Sequence, residues 1–290
     1  MARPYVIYTD ASADVDRAFF QEKGVGMVPM GYTLGEEERI CQDLESEETL
    51  KQFYDMQRGG NVTQTSQIVP QKYIEIFEPV LKEGKDVLYL ALSSGLTKTV
   101  DSANLAKQEL AEMVPDGMFL PVDTLAGTAG MGLLVEKAVE NMEKGMTLEE
   151  NAKWLEENRL QVCHWFMVED LMYLKRGGRI PATTAVLGTA LNIKPILKID
   201  DEGKLITIDK KRGEKMAVKN LLDRYMESRD SQMGERVYIV HADCPDRADL
   251  LEKKILDVNP AAKITKMYLS PIIGAHTGPG MIALIHFGKR

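Results

Sequence analysis

The clearest pattern in the chain is Val87-Leu88-Tyr89-Leu90-Ala91-Leu92, an apolar run without a charge, followed at once by Ser93-Ser94-Gly95-Leu96-Thr97. Such a run, closed by a polar turn, predicts a fully buried strand with the serines in the loop at its carboxyl end. From Lys98 to Glu112, apolar Val100, Ala103, Leu105, Ala106 and Leu110 recur among polar residues. That spacing predicts a helix whose positive end faces the same loop, where an anion would be welcome. Ligands of open α/β sheets bind in the crevice beyond the strand ends. Ser93 and Ser94 either enter that crevice or only cap the helix.

The same logic repeats at Tyr5 to Thr9, a strand running into the polar turn Asp10-Ala11-Ser12-Ala13-Asp14. Val25 to Met30 predicts a second strand, with a turn at Gly31 to Gly35 leading into an acidic exposed segment. A helix over Glu47 to Gln57 ends at Gly59-Gly60. The hydroxyl-rich loop Asn61 to Gln67 then precedes Pro70 and the helical stripe Tyr73, Ile76, Phe77, Val80 and Leu81. Phe119 to Thr124 predicts a strand and loop, and Thr128 to Lys144 a helix opening on Gly127, Gly130 and Gly132. These glycines are in the wrong order for a dinucleotide fingerprint and suit close packing of helix on sheet. Leu148 to Asn158 is a helix with Thr147 and Glu150 spaced as a capping box.

Gln161 to Val168 predicts a strand that opens a second region, placing a domain boundary between residues 161 and 162. Lys175, Arg176 and Arg179 surround Gly177-Gly178, which end a short helix. Such a turn is either solvated surface or a phosphate-binding cluster of backbone and arginine forks. Ala182 to Leu191 predicts a packed helix. Pro195 to Ile199 and Lys204 to Asp209 flank a hairpin turn, so antiparallel pairing begins here. Helices follow at Gly213 to Met226 and Asp246 to Leu256, with strands at Arg236 to Val240, Lys263 to Tyr268 and Met281 to Phe287. The loop Ile273 to Gly280 is dense enough in glycine for a ligand to approach backbone closely. The fold class is α/β in two domains: residues 1–161 with a mostly parallel sheet flanked by helices, and 162–290 with antiparallel strands.

Composition narrows the chemistry. In 290 residues, 36 basic against 44 acidic side chains give a net charge of -8 with no basic tract, which argues against nucleic acid as a partner. The N-terminal residues do not resemble a secretory leader and no apolar run is long enough to span a bilayer. The three cysteines fit neither a disulfide framework nor a zinc site, and a reducing cytoplasm is the simplest setting. With four histidines and no ligand spacing, neither a metal nor another cofactor is expected.

Thr65, Ser66, Ser93, Ser94, His276 and Thr277 bring hydroxyls and one imidazole from three separate loops. Neutral donors with one titratable group suit a carboxylate better than a highly charged phosphate. A serine-dependent hydrolase or transferase using Ser94 and His276 is the competing reading. It lacks the nucleophile elbow, since Leu92 stands where its first glycine belongs.

These residues also carry a resemblance that covers nearly the whole chain. The ordered blocks Thr9 to Asp14, Thr65-Ser66-Gln67, Leu92 to Leu96, Val122-Asp123-Thr124, Tyr173 to Ile180, Asn192 to Leu197 and Ile273 to Gly280 resemble the signature blocks of the bacterial DegV family. The resemblance implies a lipid-binding protein that is not an enzyme by itself. Such a protein holds a long-chain fatty acid and presents it to a separate ATP-dependent fatty acid kinase subunit, yielding acyl phosphate for phospholipid synthesis. Transient membrane contact during ligand exchange is part of the same expectation. It places the carboxylate at Thr65, Ser94 and the Gly95 N–H with His276 nearby, and Ser66, Ser93 and Thr277 as neighbours. Arg179, Arg212 and Arg176 fall to phosphate handling or kinase docking. Pure lipid storage or sensing would need the pocket without the arginine turn. One departure is Ile68-Val69-Pro70 after Gln67, where the family usually has proline directly, so the pocket edge is expected to differ. Burying an acyl tail contributes about 0.8 kcal/mol per methylene, on the order of 11 kcal/mol for ~14 of them before ordering costs. The sixteen methionines suit a tunnel around a flexible chain, or serve as ordinary core filler.

Overall fold

The computed structural model describes residues 3–15, 17–41, 46–181 and 192–290. The helix expected at 182–191, and the end of the acidic segment at 42–45, lie outside the described residues. The first half runs β1 (Tyr5–Asp10), α1 (Arg17–Lys23), β2 (Gly26–Val28), β3 (Met30–Leu34), β4 (Glu37–Cys41), α2 (Glu47–Arg58) and β5 (Thr63–Thr65). It continues with α3 (Pro70–Lys82), β6 (Asp86–Ala91), α4 (Thr99–Met113), β7 (Phe119–Asp123), α5 (Ala129–Glu143) and α6 (Leu148–Asn158). The second half runs β8 (Val162–Met167), α7 (Leu171–Arg176), β9 (Ile193–Ile199), β10 (Leu205–Arg212), α8 (Glu214–Ser228) and β11 (Arg236–His241). It ends with α9 (Pro245–Val258), β12 (Lys263–Tyr268), α10 (Pro271–Thr277) and β13 (Ile282–Phe287).

The architecture is α/β, with a parallel sheet in the order β2-β1-β6-β7 and a mixed sheet in the order β10-β9-β8-β13-β11-β12. In the mixed sheet only β11 and β12 pair in parallel. Every residue of β6 is buried, as an uninterrupted apolar run requires. In β8 alternation sorts the side chains: Cys163, Trp165 and Met167 join Ala217, Leu221 and Leu251 of α8 and α9 in a core on the outer face. Val162 and Phe166 turn instead to the main core that both sheets share. Helix α5 lies in that core, touching β1 and β6 on one side and β8 and β13 on the other. Its glycines serve contact, since a Cβ on Gly130 would overlap His164 and one on Gly132 would lie 2.8 Å from Asp14 O. The capping box of α6 forms as the sequence predicts.

Three expectations need correction. The strand expected at 25–30 is divided at Pro29: β2 joins the parallel sheet, while β3 enters a small antiparallel sheet in the order β4-β3-β5. The stretch expected as a turn at Gly31 to Gly35 is therefore mostly strand, and the hydroxyl-rich loop contains β5. The glycine-dense stretch before the last strand is helical up to Thr277, with the turn confined to Gly278–Gly280. Among the described residues no helix is long and apolar enough to cross a membrane.

Candidate functional site

The carboxyl ends of β1, β6 and β7 meet in one polar knot. The Asp10 carboxylate accepts from Ser12 N at 3.0 Å, Tyr89 OH at 2.8 Å and Leu92 N at 3.1 Å, and also from Ser12 Oγ. Asp123 Oδ1 accepts from Ser94 N and Leu125 N, each at 3.1 Å. The Leu92–Gly95 loop is thus held from two strands. Burial raises the pKa of Asp10, offset by the donors that surround it. The N-cap of α4 is Lys98, so neither serine caps that helix.

The two serines diverge. Ser93 is fully buried, donates to Gly203 O at 2.8 Å and accepts from Gly95 N at 3.1 Å. This ties the loop to the β9–β10 hairpin turn so closely that a Cβ on Gly95 would lie 2.8 Å from Glu202 O. The Gly95 N–H expected to meet a carboxylate is thereby engaged in the loop's own turn. Ser94 lines the cavity, and no described residue hydrogen-bonds its hydroxyl.

Across the cavity stands α10. Its N-terminal end is fixed by Asp14 Oδ1, which accepts from Ser270 N at 2.9 Å, and by Tyr54 OH, which donates to Leu269 O at 2.9 Å. Gln57 Nε2 donates to Gly274 O at 3.1 Å and Thr63 Oγ1 to Ala275 O at 3.1 Å. These bonds aim His276 at the end of β5, where its Nε2 lies 2.8 Å from Thr65 Oγ1. Its Nδ1 packs on Gly177, where any Cβ would overlap it. Burial, and then the charge of Arg179, push the His276 pKa down to about 4, so the imidazole is neutral near pH 7.

Arg179 completes the mouth. Its Nε donates to Leu96 O at 3.1 Å and Nη1 to Gly177 O, and burial alone lowers its pKa. Among the described residues it has no carboxylate partner. The other arginines lie elsewhere: Arg176 is exposed with its guanidinium over the Tyr173 ring at 4.6 Å, and Arg212 is exposed at the end of β10. Ser66 lines the cavity from its rim, and Thr277 is buried with Oγ1 3.4 Å from Ile273 O, to which it donates.

Behind these groups opens a cavity of about 380 Å³ between the two sheets. Leu92, Phe166, Ile199, Met281, Ala283 and Ile285 form much of its wall. Thr65, Ser94, Arg179 and His276 gather the polar character, with His164 and Thr128 as further polar members of the lining. Thr128 has φ 47°, costly for a β-branched residue, and is held there by donating to Asp14. A groove of about 440 Å³ adjoins the mouth, shares Thr65, Arg179 and His276 with it, and reaches Asn61, Gln64 and Arg176.

The hydrolase arrangement is not assembled. His276 Nε2 turns to Thr65 and its Nδ1 faces Gly177, so among the described residues no acid orients it as a base. Among the described residues no cluster of His, Cys, Asp and Glu is grouped as a metal would require. The sequence reading missed Asp10, Asp14 and Asp123 as the residues that fix the loops. Asp10 and Asp123 as the polar ends of strands β1 and β7, and Asp14 in the turn after β1, were the available signal.

A sequence model described as "uncharacterised protein, DegV family" matches residues 4–289. A DegV domain-containing protein of Clostridium perfringens is 35% identical over 286 residues, covering 99% of this chain and 98% of the relative. One of Lactococcus lactis is 34% identical over 288 residues, covering 99% and 98%. Among solved structures, a fatty-acid-binding DegV family protein of Thermus thermophilus superposes with TM-score 0.86 at 30% identity, covering 99% of this chain and 100% of that one. DegV of Bacillus subtilis, a fatty acid binding protein, gives TM-score 0.84 at 26% identity, with 99% and 100% covered. A match along almost the whole length, with a two-domain fold to go with it, makes this chain a member of the DegV family.

Proposed function

We propose that the protein binds a long-chain fatty acid, with the acyl chain in the cavity between the sheets and the carboxylate at Thr65, Ser94 and His276. The observation that carries this reading is the half-buried Arg179, with no carboxylate partner among the described residues, beside a neutral His276 at the mouth of a mainly apolar cavity. A half-buried cation held only by backbone carbonyls among the described residues calls for an anion, and an apolar wall behind it calls for an aliphatic tail. The fatty-acid-binding relatives from Thermus thermophilus and Bacillus subtilis support the same ligand class. Arg179 then balances the carboxylate's charge, while the hydroxyls fix its orientation.

The second part of the proposal is presentation to a separate kinase subunit, with the two domains dividing at residues 161 and 162. The groove outside the mouth leaves room for a phosphoryl donor and borders it with Arg176 and Arg179. A carboxylate oxygen would attack the γ-phosphorus of ATP held by the kinase. The bond from that phosphorus to the bridging oxygen breaks, ADP leaves and the acyl phosphate remains. The chain supplies the acid and its alignment; the partner supplies the nucleotide.

Solvent extraction and mass spectrometry of freshly purified protein should yield an acyl chain near one per protein. Addition of ATP and an ATP-dependent fatty acid kinase subunit should then yield acyl phosphate, trapped by hydroxylamine as the hydroxamate. A nucleotide or sugar phosphate in the extract would overturn the first part, and a loaded protein giving no hydroxamate the second.

A further inference from the structure

Two turns hold the loop that carries Ser94, and one side chain holds both turns. The Ser94 N–H is fixed on Asp123 Oδ1, which also accepts from Leu125 N in the turn after β7. Leu125 has φ 47°, an unfavourable region for a bulky side chain, so this turn keeps its shape only through outside bonds. The second turn runs from Asp200 to Gly203 between β9 and β10, and its Gly203 O accepts from Ser93 Oγ at 2.8 Å. It presses on the loop without spare room. A Cβ on Gly95 would lie 2.8 Å from Glu202 O, and one on Gly203 would overlap Ser93 Oγ and lie 3.3 Å from Leu125 Cα. A shift of either turn therefore moves the loop.

Arg290 reaches both turns. Its Nη2 donates to Leu125 O at 2.8 Å, and its Nη1 donates at 2.8 Å to Asp200 O, the acceptor that also closes the hairpin turn on Gly203 N at 3.0 Å. Nε donates to Val162 O at 2.7 Å, at the start of β8. Nη2 also donates to Arg159 O at 3.3 Å, and Arg159 Nη1 in turn donates to Asp123 O at 2.5 Å. Every nitrogen of the Arg290 guanidinium is thus engaged by backbone carbonyls of four separate positions. A planar fork of five N–H donors can serve such a set, whereas an ammonium offers three donors on one atom. Arg290 is not among the residues that line the cavity, so it acts on a ligand there only through the loop.

We propose that Arg290 is a positioning residue for the head-group site: by fixing the turns at 123–125 and 200–203, it sets where the Ser94 hydroxyl stands at the mouth. The proposal rests on the fatty acid reading and adds to it a residue that never meets the ligand. A hydrogen bond weakens steeply as its length and angle leave the favourable range. Ser94 therefore gives its full contribution to a carboxylate only while both turns stay in place.

The test is a double-mutant cycle on the full chain after delipidation, read by titration with stearate and, separately, by urea unfolding. Arg290→Met keeps an aliphatic stem and removes the fork. It should weaken stearate binding about tenfold while Ser94 is present, the scale of one lost hydrogen bond to a charged group. In a Ser94→Ala background, where no hydroxyl remains to be placed, the further loss should stay below about threefold. The stability lost through Arg290→Met should be the same in both backgrounds, which separates placement of the donor from general loosening. Arg290→Lys should lose only part of the affinity, again only while Ser94 is present. Should Arg290→Met not fold, Arg290→Lys carries the same cycle. An equal loss of affinity in both backgrounds, or a loss in neither, overturns the proposal and leaves fatty acid binding intact. A Ser94→Ala variant that binds stearate like wild type overturns it as well, since there is then no donor to position. Failure of the wild type to bind stearate overturns the fatty acid reading instead.

Discussion

His276 Nε2 and Thr65 Oγ1, 2.8 Å apart, join α10 to the end of β5 across the mouth of the cavity. Two elements 211 residues apart in sequence are thus brought together at one end of the cavity. In the proposed site the neutral imidazole and the threonine would orient hydrogen bonds, and Arg179 would carry the charge. Thr65→Val should weaken fatty acid binding by about 1 to 3 kcal/mol, the cost of leaving a charged acceptor one donor short. The double variant with His276→Leu should lose less than the sum of the single losses, because each residue holds the other. Isothermal titration with one fatty acid across the cycle measures this. Strict additivity would show that the two residues act separately.

Gly177 gives a test of position without loss of a polar group. Its φ of -69° suits any residue, so alanine there brings little backbone strain. A Cβ would overlap His276 Nδ1 and push the ring off Thr65. Gly177→Ala should therefore weaken fatty acid binding about tenfold or more while costing about 1 to 3 kcal/mol of stability, as overpacking does. Urea unfolding and fatty acid titration on the same preparation separate the two effects. Unchanged affinity would mean that the exact place of His276 does not matter.

Asp14 predicts a pH dependence with a defined sign. It is fully buried, and burial raises its pKa from 3.8 to about 6 against the opposing bonds from Thr128 and Ser270. A raised folded pKa means that the native state keeps a proton that the unfolded state has released. The contribution of Asp14 is fully present below about 3.8 and is lost as pH rises through about 6, a change on the order of 3 kcal/mol. The depressed values of His164, His276 and His286 act the other way, lowering stability as pH falls below 6.5. Asp14→Asn removes one term only. Relative to wild type, the variant should gain stability between pH 4 and pH 7, read as the difference in urea midpoint at the two values. A difference that stays constant across this window would place the Asp14 pKa near that of an exposed carboxyl.

Sequence periodicity was enough for β1, β6 and β7, for the helices α3 to α6 and for the hairpin, because a strand buried on both faces, as β6 is, reads as an apolar run and helices read as stripes; α1 was not anticipated. Thr65, Ser94 and His276 were legible as hydroxyls and an imidazole at element ends. The small sheet was not, since β5 is three residues of Thr-Gln-Thr without an apolar signal, and the alternation of its partner β3, Met30, Tyr32 and Leu34, lies between Gly31 and Gly35, which read as a turn. Neither was the difference between Ser93 and Ser94. Adjacent residues of one type share every local signal, and only the approach of Gly203 from the other half of the chain tells them apart. Arg179 belonged, in the sequence reading, to the phosphate side alone; its bond to Leu96 O brings it to the same mouth as Thr65 and His276.

That difference between the serines is itself testable. Ser93 is fully buried and makes two hydrogen bonds that join the loop to the hairpin turn, so its removal leaves Gly203 O and Gly95 N each without a partner. Ser93→Ala should cost about 1 to 3 kcal/mol of folding stability. The hydroxyl of Ser94 holds no part of the fold, because the loop is fixed through its backbone N–H on Asp123. Ser94→Ala should therefore leave the urea midpoint within about 0.5 kcal/mol of wild type. It should lose about 1 to 3 kcal/mol of fatty acid affinity instead, as a carboxylate gives up one donor. A fluorophosphonate probe for activated serines decides against the remaining chemical alternative. With no base turned toward it, Ser94 should stay unlabelled under conditions that label a serine hydrolase. Labelling of wild type that vanishes in Ser94→Ala would make Ser94 a nucleophile, and a shared loss of stability in both variants would make the two serines one structural unit.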